Sequence, residues 1–257
     1  MTGAAVVRTV DINSDCGESF GNWVMGDDEA LIPLITTANV ACGYHASDPL
    51  TMRSTVARCA AAGVAVGSHP GLPDLLGFGR RPMKITPDDG YAYVMYQTGA
   101  LRAFLDAAGL PLHHVKPHGA FYSILREDEP LAEGVCAAIR DLMPEPLVYW
   151  PDPTDAALPR VARKQGIRVV VEAYVDLPYS PKGEVILQRS KEETDLDRVR
   201  SQITHWLTEG KVEAIDGTLV PIEAESVCVH GDGPNAAEVV EAVRAAIEAC
   251  GCSVGPL

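Results

Sequence analysis

Hydrophobic and polar positions alternate along the chain between a period near two and a period near 3.6. Val6 to Asn13 is short and β-branched and predicts a first strand. Residues 28–35 read as a short helix and Asn39 to Cys42 as a second strand. Asp48-Pro49 then supplies an N-cap with a proline at the first helical position, and Gly63 supplies the stop. Met52, Val56 and Cys59 recur at helical spacing between them, which predicts a face packed on a sheet. Val64 to Ser68 reads as strand three. A long helix follows from Thr86-Pro87 to Gly109, with a stripe of Tyr91, Val94, Thr98, Leu101 and Leu105. His114 to Pro117 suggests strand four. Leu131, Val135, Ile139 and Leu142 mark a helix, and Leu147 to Trp150 the next strand. Asp155 to Gln165 reads as helical, Ile167 to Ala173 as the most β-like run, and Thr194 to Glu209 as a charged helix. Val227 to Val229 is the last expected strand. Pro234 opens a final helix with Ala236, Val240, Val243, Ile247 and Cys250 on one face, closed by Gly251.

About seven strand-then-helix units predict an α/β fold with a parallel sheet covered by helices. A closed or nearly closed (β/α) barrel, one domain over residues 1–257, is the first expectation; an open doubly wound sheet is the second. No GxGxxG or GxxxxGK[ST] loop is present. The balance of 47% hydrophobic and 22% charged residues is that of a globular chain. A net charge of -14 disfavours phosphate backbones and anionic lipid surfaces, so neither nucleic acid nor membrane is an expected partner. No apolar run approaches the roughly 20 residues that span a bilayer. Met1 to Asp15 lacks the pattern of a secretory signal, and seven cysteines without a CxxC pair argue against a disulfide framework; the expected location is the cytoplasm.

The polar residues that carry chemistry collect where predicted strands end. Asp11, Asn13 and Asp15 follow strand one, His45 strand two and His69 strand three; Lys116 and His118 follow strand four, and His230 the last. In a β/α barrel those ends build the active site, because side chains from separate strands converge there. Asp11, Asn13 and Asp15 share one parity, as do Lys116 and His118, so each set can face the axis. A lone loop histidine is ordinarily structural, but four within two residues of a glycine or proline, each after a different strand, point to a shared pocket. His113, His114 and His205 lack that setting and read as solvent-facing or packing residues. Arg80 and Arg81 in the loop Gly77-Phe78-Gly79-Arg80-Arg81-Pro82 can grip a carboxylate or phosphate with forked hydrogen bonds. Cys16 lies inside the first polar cluster, but without an activating neighbour it reads as packing.

Six ordered blocks are similar to those of the LamB/YcsF family. They are Asp11-Ile12-Asn13-Ser14-Asp15-Cys16-Gly17-Glu18-Ser19-Phe20-Gly21, Ala38 to Pro49, Gly67 to Asp74, Gly77 to Arg81, Val115 to Tyr122 and Cys228 to Asp232. The best-understood role of that family is the A-subunit of bacterial 5-oxoprolinase. The resemblance implies a barrel of the glycoside hydrolase/deacetylase type, often seven-stranded. It also implies ATP-dependent opening of the 5-oxoproline ring to glutamate with two partners, subunits B and C. On that reading Asp15, with Asp11 or Glu18 as alternatives, is the candidate base. Lys116 and His118 stabilise charge or protonate the leaving nitrogen. Arg80 and Arg81 hold an anionic group, and Asn13 and His230 orient the ring, with His45 and His69 as substrate contacts. ATP would act from a partner subunit. Asp15, His45 and His69 form the sort of set that holds a divalent metal, with plain hydrogen bonding to substrate as the alternative. One block departs: where the family shows Asp-Arg-x-Tyr, this chain reads Asp176-Leu177-Pro178-Tyr179, followed by Lys182 to Arg189. If the relatives' arginine touches substrate, Leu177 points to a different lactam or a related amide. A metal-dependent deacetylase acting alone and a non-catalytic scaffold are the competing functions.

Overall fold

Alternation in the first strand sets the frame. β1 (Thr9–Cys16) turns Val10, Ile12 and Cys16 onto the surrounding helices and Asp11, Asn13 and Asp15 toward the interior. The computed structural model describes residues 8–151, 156–186 and 192–257. Val6 and Val7 of the expected first strand, Asp155 of the expected fifth helix, and Leu187 to Arg189 lie outside them.

Parallel to β1 run β2 (Thr37–Ala41), β3 (Ala65–His69), β4 (Leu112–Val115), β5 (Leu147–Trp150) and β6 (Arg168–Tyr174). A short antiparallel hairpin, β7 (Lys211–Glu213) and β8 (Leu219–Pro221), precedes β9 (Ser226–Cys228). β9 pairs with both β6 and β1, so seven parallel strands close into a barrel, as expected. β10 (Ser253–Val254) adds to the start of β1 outside that ring.

The helices are α1 (Asp28–Leu31), α2 (Pro49–Ala62), α3 (Pro87–Ala108), α4 (Gly119–Leu125), α5 (Glu129–Leu142), α6 (Ala157–Lys164), α7 (Leu196–Glu209) and α8 (Ala236–Ala249). Their ends follow the local chemistry. Asp48 accepts from the backbone N–H groups of Leu50 and Thr51, and Gly63 closes α2 in the left-handed conformation. Thr86 and Asp89 form a reciprocal capping box on α3. Three elements were not anticipated. α4 is seven residues long, starts on a glycine and has no side-chain cap. The hairpin arms are three residues each, too short for alternation to register, although Asp216-Gly217 is a turn signal. β10 is shorter still. The expected helix over 28–35 is one α-helical turn passing into a 3₁₀ turn at Ile32–Leu34, where Pro33 interrupts the ladder.

Two apolar clusters fill the shell between strands and helices, one around α2, α7 and α8 and one around α3 to α6. Each fully buried Val, Leu or Ile there contributes roughly 1.5–3 kcal/mol. The barrel interior is different: Asp11, Asn13, Asp15, Asn39, His114, Glu172 and Ser226 are all buried in it. Space is made by Gly67 on β3, where a Cβ would come within 2.0 Å of the His114 ring. That ring donates from Nε2 to Asn39 Oδ1 (2.7 Å), so His114 is a packing residue with a fixed bond.

Candidate active site

The chain extends each strand just far enough to present its last polar residue. Lys116 follows β4, and its backbone N–H still donates to the Ser68 carbonyl (2.8 Å), which prolongs the β3–β4 pairing by one residue. The ammonium is only 4% exposed. It lies 3.1 Å from Glu172 Oε2 and donates to Asp15 Oδ1 (3.2 Å), Cys228 Sγ (3.2 Å) and Asn13 Oδ1 (3.3 Å). Burial alone would push Lys116 toward neutrality, but Asp15, Cys228 and Glu172 hold its pKa well above the usual lysine value. Burial likewise opposes ionisation of Asp15, yet its neighbours His69, Lys116 and His230 carry its pKa well below the ordinary carboxylate range. The pair is therefore a fixed cation beside a fixed anion. Lys116 suits charge stabilisation and not nucleophilic attack.

Lys116, Asp15, His69, His118, Arg80 and His230 line one pocket at the C-terminal end of the barrel. His230 is anchored from behind: its Nδ1 donates to Asp176 Oδ2 (2.9 Å), and its backbone N–H donates to the same oxygen (3.0 Å). Its ring lies against Tyr174, with centroids 5.3 Å apart, and Nε2 stands 3.9 Å from Asp15 Oδ2. Arg80 sits at the rim, 3.4 Å from Asp232 Oδ2, with its guanidinium 5.0 Å from the centre of the Phe78 ring.

Part of this wall belongs to a buried imidazole cluster. His45 and His118 stack face to face, with centroids 3.7 Å apart and planes within 4°, and His69 stands edge-on to both. His69 Nδ1 donates to the Lys116 carbonyl (2.7 Å) and His118 Nε2 to the Phe78 carbonyl (2.8 Å). Desolvation, helped by neighbouring rings, keeps the His45 and His118 pKa values well below the usual imidazole value.

Several expectations change on this geometry. Asp11 shares the face of Asp15 but lies deeper, where hydroxyls of Thr36, Thr37, Ser226 and Tyr149 all donate to it, and it does not line the pocket. Asn13 is also one layer down, hydrogen-bonded to Asn39, Ser226 and Lys116. Arg81 turns away: Asp74, with its side chain buried, takes its guanidinium and its backbone N–H, so it pins the loop. His45 and Glu18 stand behind the pocket wall, 3.5 Å apart, and not on it. Leu177 packs among apolar neighbours and does not reach the pocket either.

The sequence reading missed Glu172, Asp176 and Asn39. Glu172 carried a usable signal, one acid inside an otherwise apolar strand. Asp176 lies next to Leu177, two residues past the end of β6.

Comparison with known proteins gives a consistent result. A chain from Thermus thermophilus, named as the A-subunit of 5-oxoprolinase, is 46% identical over 248 residues, 95% of this chain and 98% of its own length. A protein of the same name from Bordetella pertussis is 43% identical over 95% of this chain and 97% of its own. The crystal structure of a lactam utilization protein from another strain of Thermus thermophilus superposes with a TM-score of 0.88 at 42% identity, covering 97% of this chain and 100% of that one. The sequence model of the LamB/YcsF family matches residues 10–257. The chain belongs to the LamB/YcsF family.

Proposed function

We propose that this protein is the ring-opening component of an ATP-dependent 5-oxoprolinase, acting with subunits B and C. A five-membered lactam is a resonance-stabilised amide, so its hydrolysis needs a stronger electrophile, an activated water and a counter-charge for the oxygen. A phosphoryl group from ATP on the lactam oxygen supplies the first. That transfer is assigned to one of the partners, in keeping with the lack of a GxxxxGK[ST] loop in this sequence.

The remaining roles fall to this chain. Lys116, held cationic, faces the lactam oxygen, free or phosphorylated, where negative charge gathers. His230, with Nδ1–H committed to Asp176, turns Nε2 toward the pocket as the base. Water adds across the ring C–N bond: its hydroxyl goes to the carbonyl carbon, its proton goes to His230 Nε2 and then to the departing nitrogen, and the acyl phosphate so formed is hydrolysed by a second water to glutamate and inorganic phosphate. Asp15, with its low proton affinity, orients the water and His230. Arg80 is the residue placed to meet the substrate carboxylate.

The observation that supports this reading is the meeting of a buried ammonium, an ionised carboxylate and an anchored imidazole in one pocket. The test is reconstitution with subunits B and C, following glutamate release from 5-oxoproline and ADP formation separately. His230→Ala and Lys116→Met are expected to abolish glutamate release while the complex still assembles. Unchanged turnover in both variants would reduce this chain to a scaffold.

A further inference from the structure

The imidazole cluster poses a problem that its own hydrogen bonds do not solve. His69 Nδ1 and His118 Nε2 each face a backbone carbonyl, at 2.7 and 2.8 Å. A carbonyl oxygen only accepts, so both nitrogens carry hydrogen. In neutral rings the other two nitrogens, His69 Nε2 and His118 Nδ1, then carry lone pairs, yet they stand 2.9 Å apart. Two bare lone pairs at that distance repel, and a cation beside them removes the conflict.

Two further observations favour a metal over a proton in that role. A Glu18 carboxylate oxygen and ring nitrogens of His45, His69 and His118 all lie within 4.8 Å of one another. Lys116 is already flanked by two buried acids, Asp15 and Glu172, while the buried carboxylate of Glu18 faces the imidazoles of His45 and His118, which favours added positive charge there.

We propose that His69 Nε2, His118 Nδ1 and Glu18 hold a divalent first-row transition ion of the zinc type. Two imidazoles and one carboxylate are donors that suit such an ion. The set differs from the one suggested by the sequence. Asp15 is engaged through Oδ1 by Lys116 and Asn39, and although its Oδ2 is 3.4 Å from His69 Nε2 it is not among the groups that gather within 4.8 Å, where Glu18 takes its place. His45 drops out for a geometric reason. Its plane is parallel to that of His118, and in-plane lone pairs of stacked rings do not converge on one point. Its Nε2 lies 3.5 Å from Glu18 Oε1. The inference concerns binding and does not depend on the lactam reaction.

The test uses the full chain stripped with a chelator. Calorimetric titration with Zn2+ is expected to give one ion per chain, and Co2+ to give visible d–d bands of a low-symmetry site. X-ray absorption on the wild-type Zn2+ form should count two imidazoles and an oxygen donor. His118→Gln and Glu18→Gln should each lose the ion, whereas Arg81→Ala should keep it. No stoichiometric ion in the wild type would overturn the proposal, as would retention in both ligand variants. Loss of the ion in Asp15→Asn together with retention in Glu18→Gln would return the carboxylate role to Asp15. Should a ligand variant fail to fold, the absorption count on the wild type still decides.

Discussion

Asp11 and Asp15 lie on one strand, share one face and are both buried, yet they have become different kinds of residue. They stand about 13 Å apart along β1, at roughly 3.3 Å per residue. At the lower level every group that meets Asp11 is a neutral hydroxyl: Thr36, Thr37, Ser226 and Tyr149. At the upper level Asp15 meets an ammonium, two imidazoles and an open pocket. Hydroxyls satisfy a carboxylate without giving it anything to do, and they close the lower barrel. Mobile protons and an accessible mouth turn the same group into part of a reaction site. Depth along the strand, and not residue type or parity, separates the two roles.

The largest effect that would break or sharpen this contrast is expected at Lys116. We predict that Lys116→Met lowers kcat of the reconstituted enzyme by about 10³-fold, in the range of losing one oxyanion-stabilising donor. It should also leave Asp15 and Glu172 buried without their cation, costing about 3–5 kcal/mol of stability, read by denaturant unfolding. Next comes the pair itself. Asp15→Asn should cut kcat about 10²-fold, with the far-ultraviolet circular dichroism spectrum unchanged. Asp11→Asn should leave kcat within about threefold and lower unfolding free energy by about 1–3 kcal/mol, because an amide nitrogen cannot accept from the surrounding hydroxyls. Equal loss of kcat from both substitutions would erase the distinction. Asp176→Asn should reduce kcat by about tenfold through a loosened His230, with KM nearly unchanged. The smallest effect is expected at Arg81, whose side chain is 62% exposed. Arg81→Ala should preserve kcat and move unfolding by less than about 1 kcal/mol.

Much of the site could be read from strand ends. Asp15, His69, Lys116, His118 and His230 each follow a predictable β run, and the structure brings all five to one pocket. Glu172 was hidden because it lies within a strand, where an acid has no local reason to be. Asp176 was overshadowed by the change at Leu177 beside it, and Leu177 proves to be an apolar packing residue. Arg80 and Arg81 look equivalent in sequence. Only the buried Asp74 carboxylate, which takes Arg81 for the loop, separates them.

The sequence by itself determined the order of elements, the helix boundaries set by Asp48, Gly63, Thr86 and Gly109, and the inward parity of Asp11, Asn13 and Asp15. These depend on contacts within a few residues, which short-range periodicity and capping chemistry record. Tertiary structure decided which polar residues meet hydroxyls, which meet charges and which meet solvent. That choice follows from strand register and barrel closure, which pair Asp11 with Ser226 and Asp15 with Asn39 across distances in the chain that no local pattern encodes.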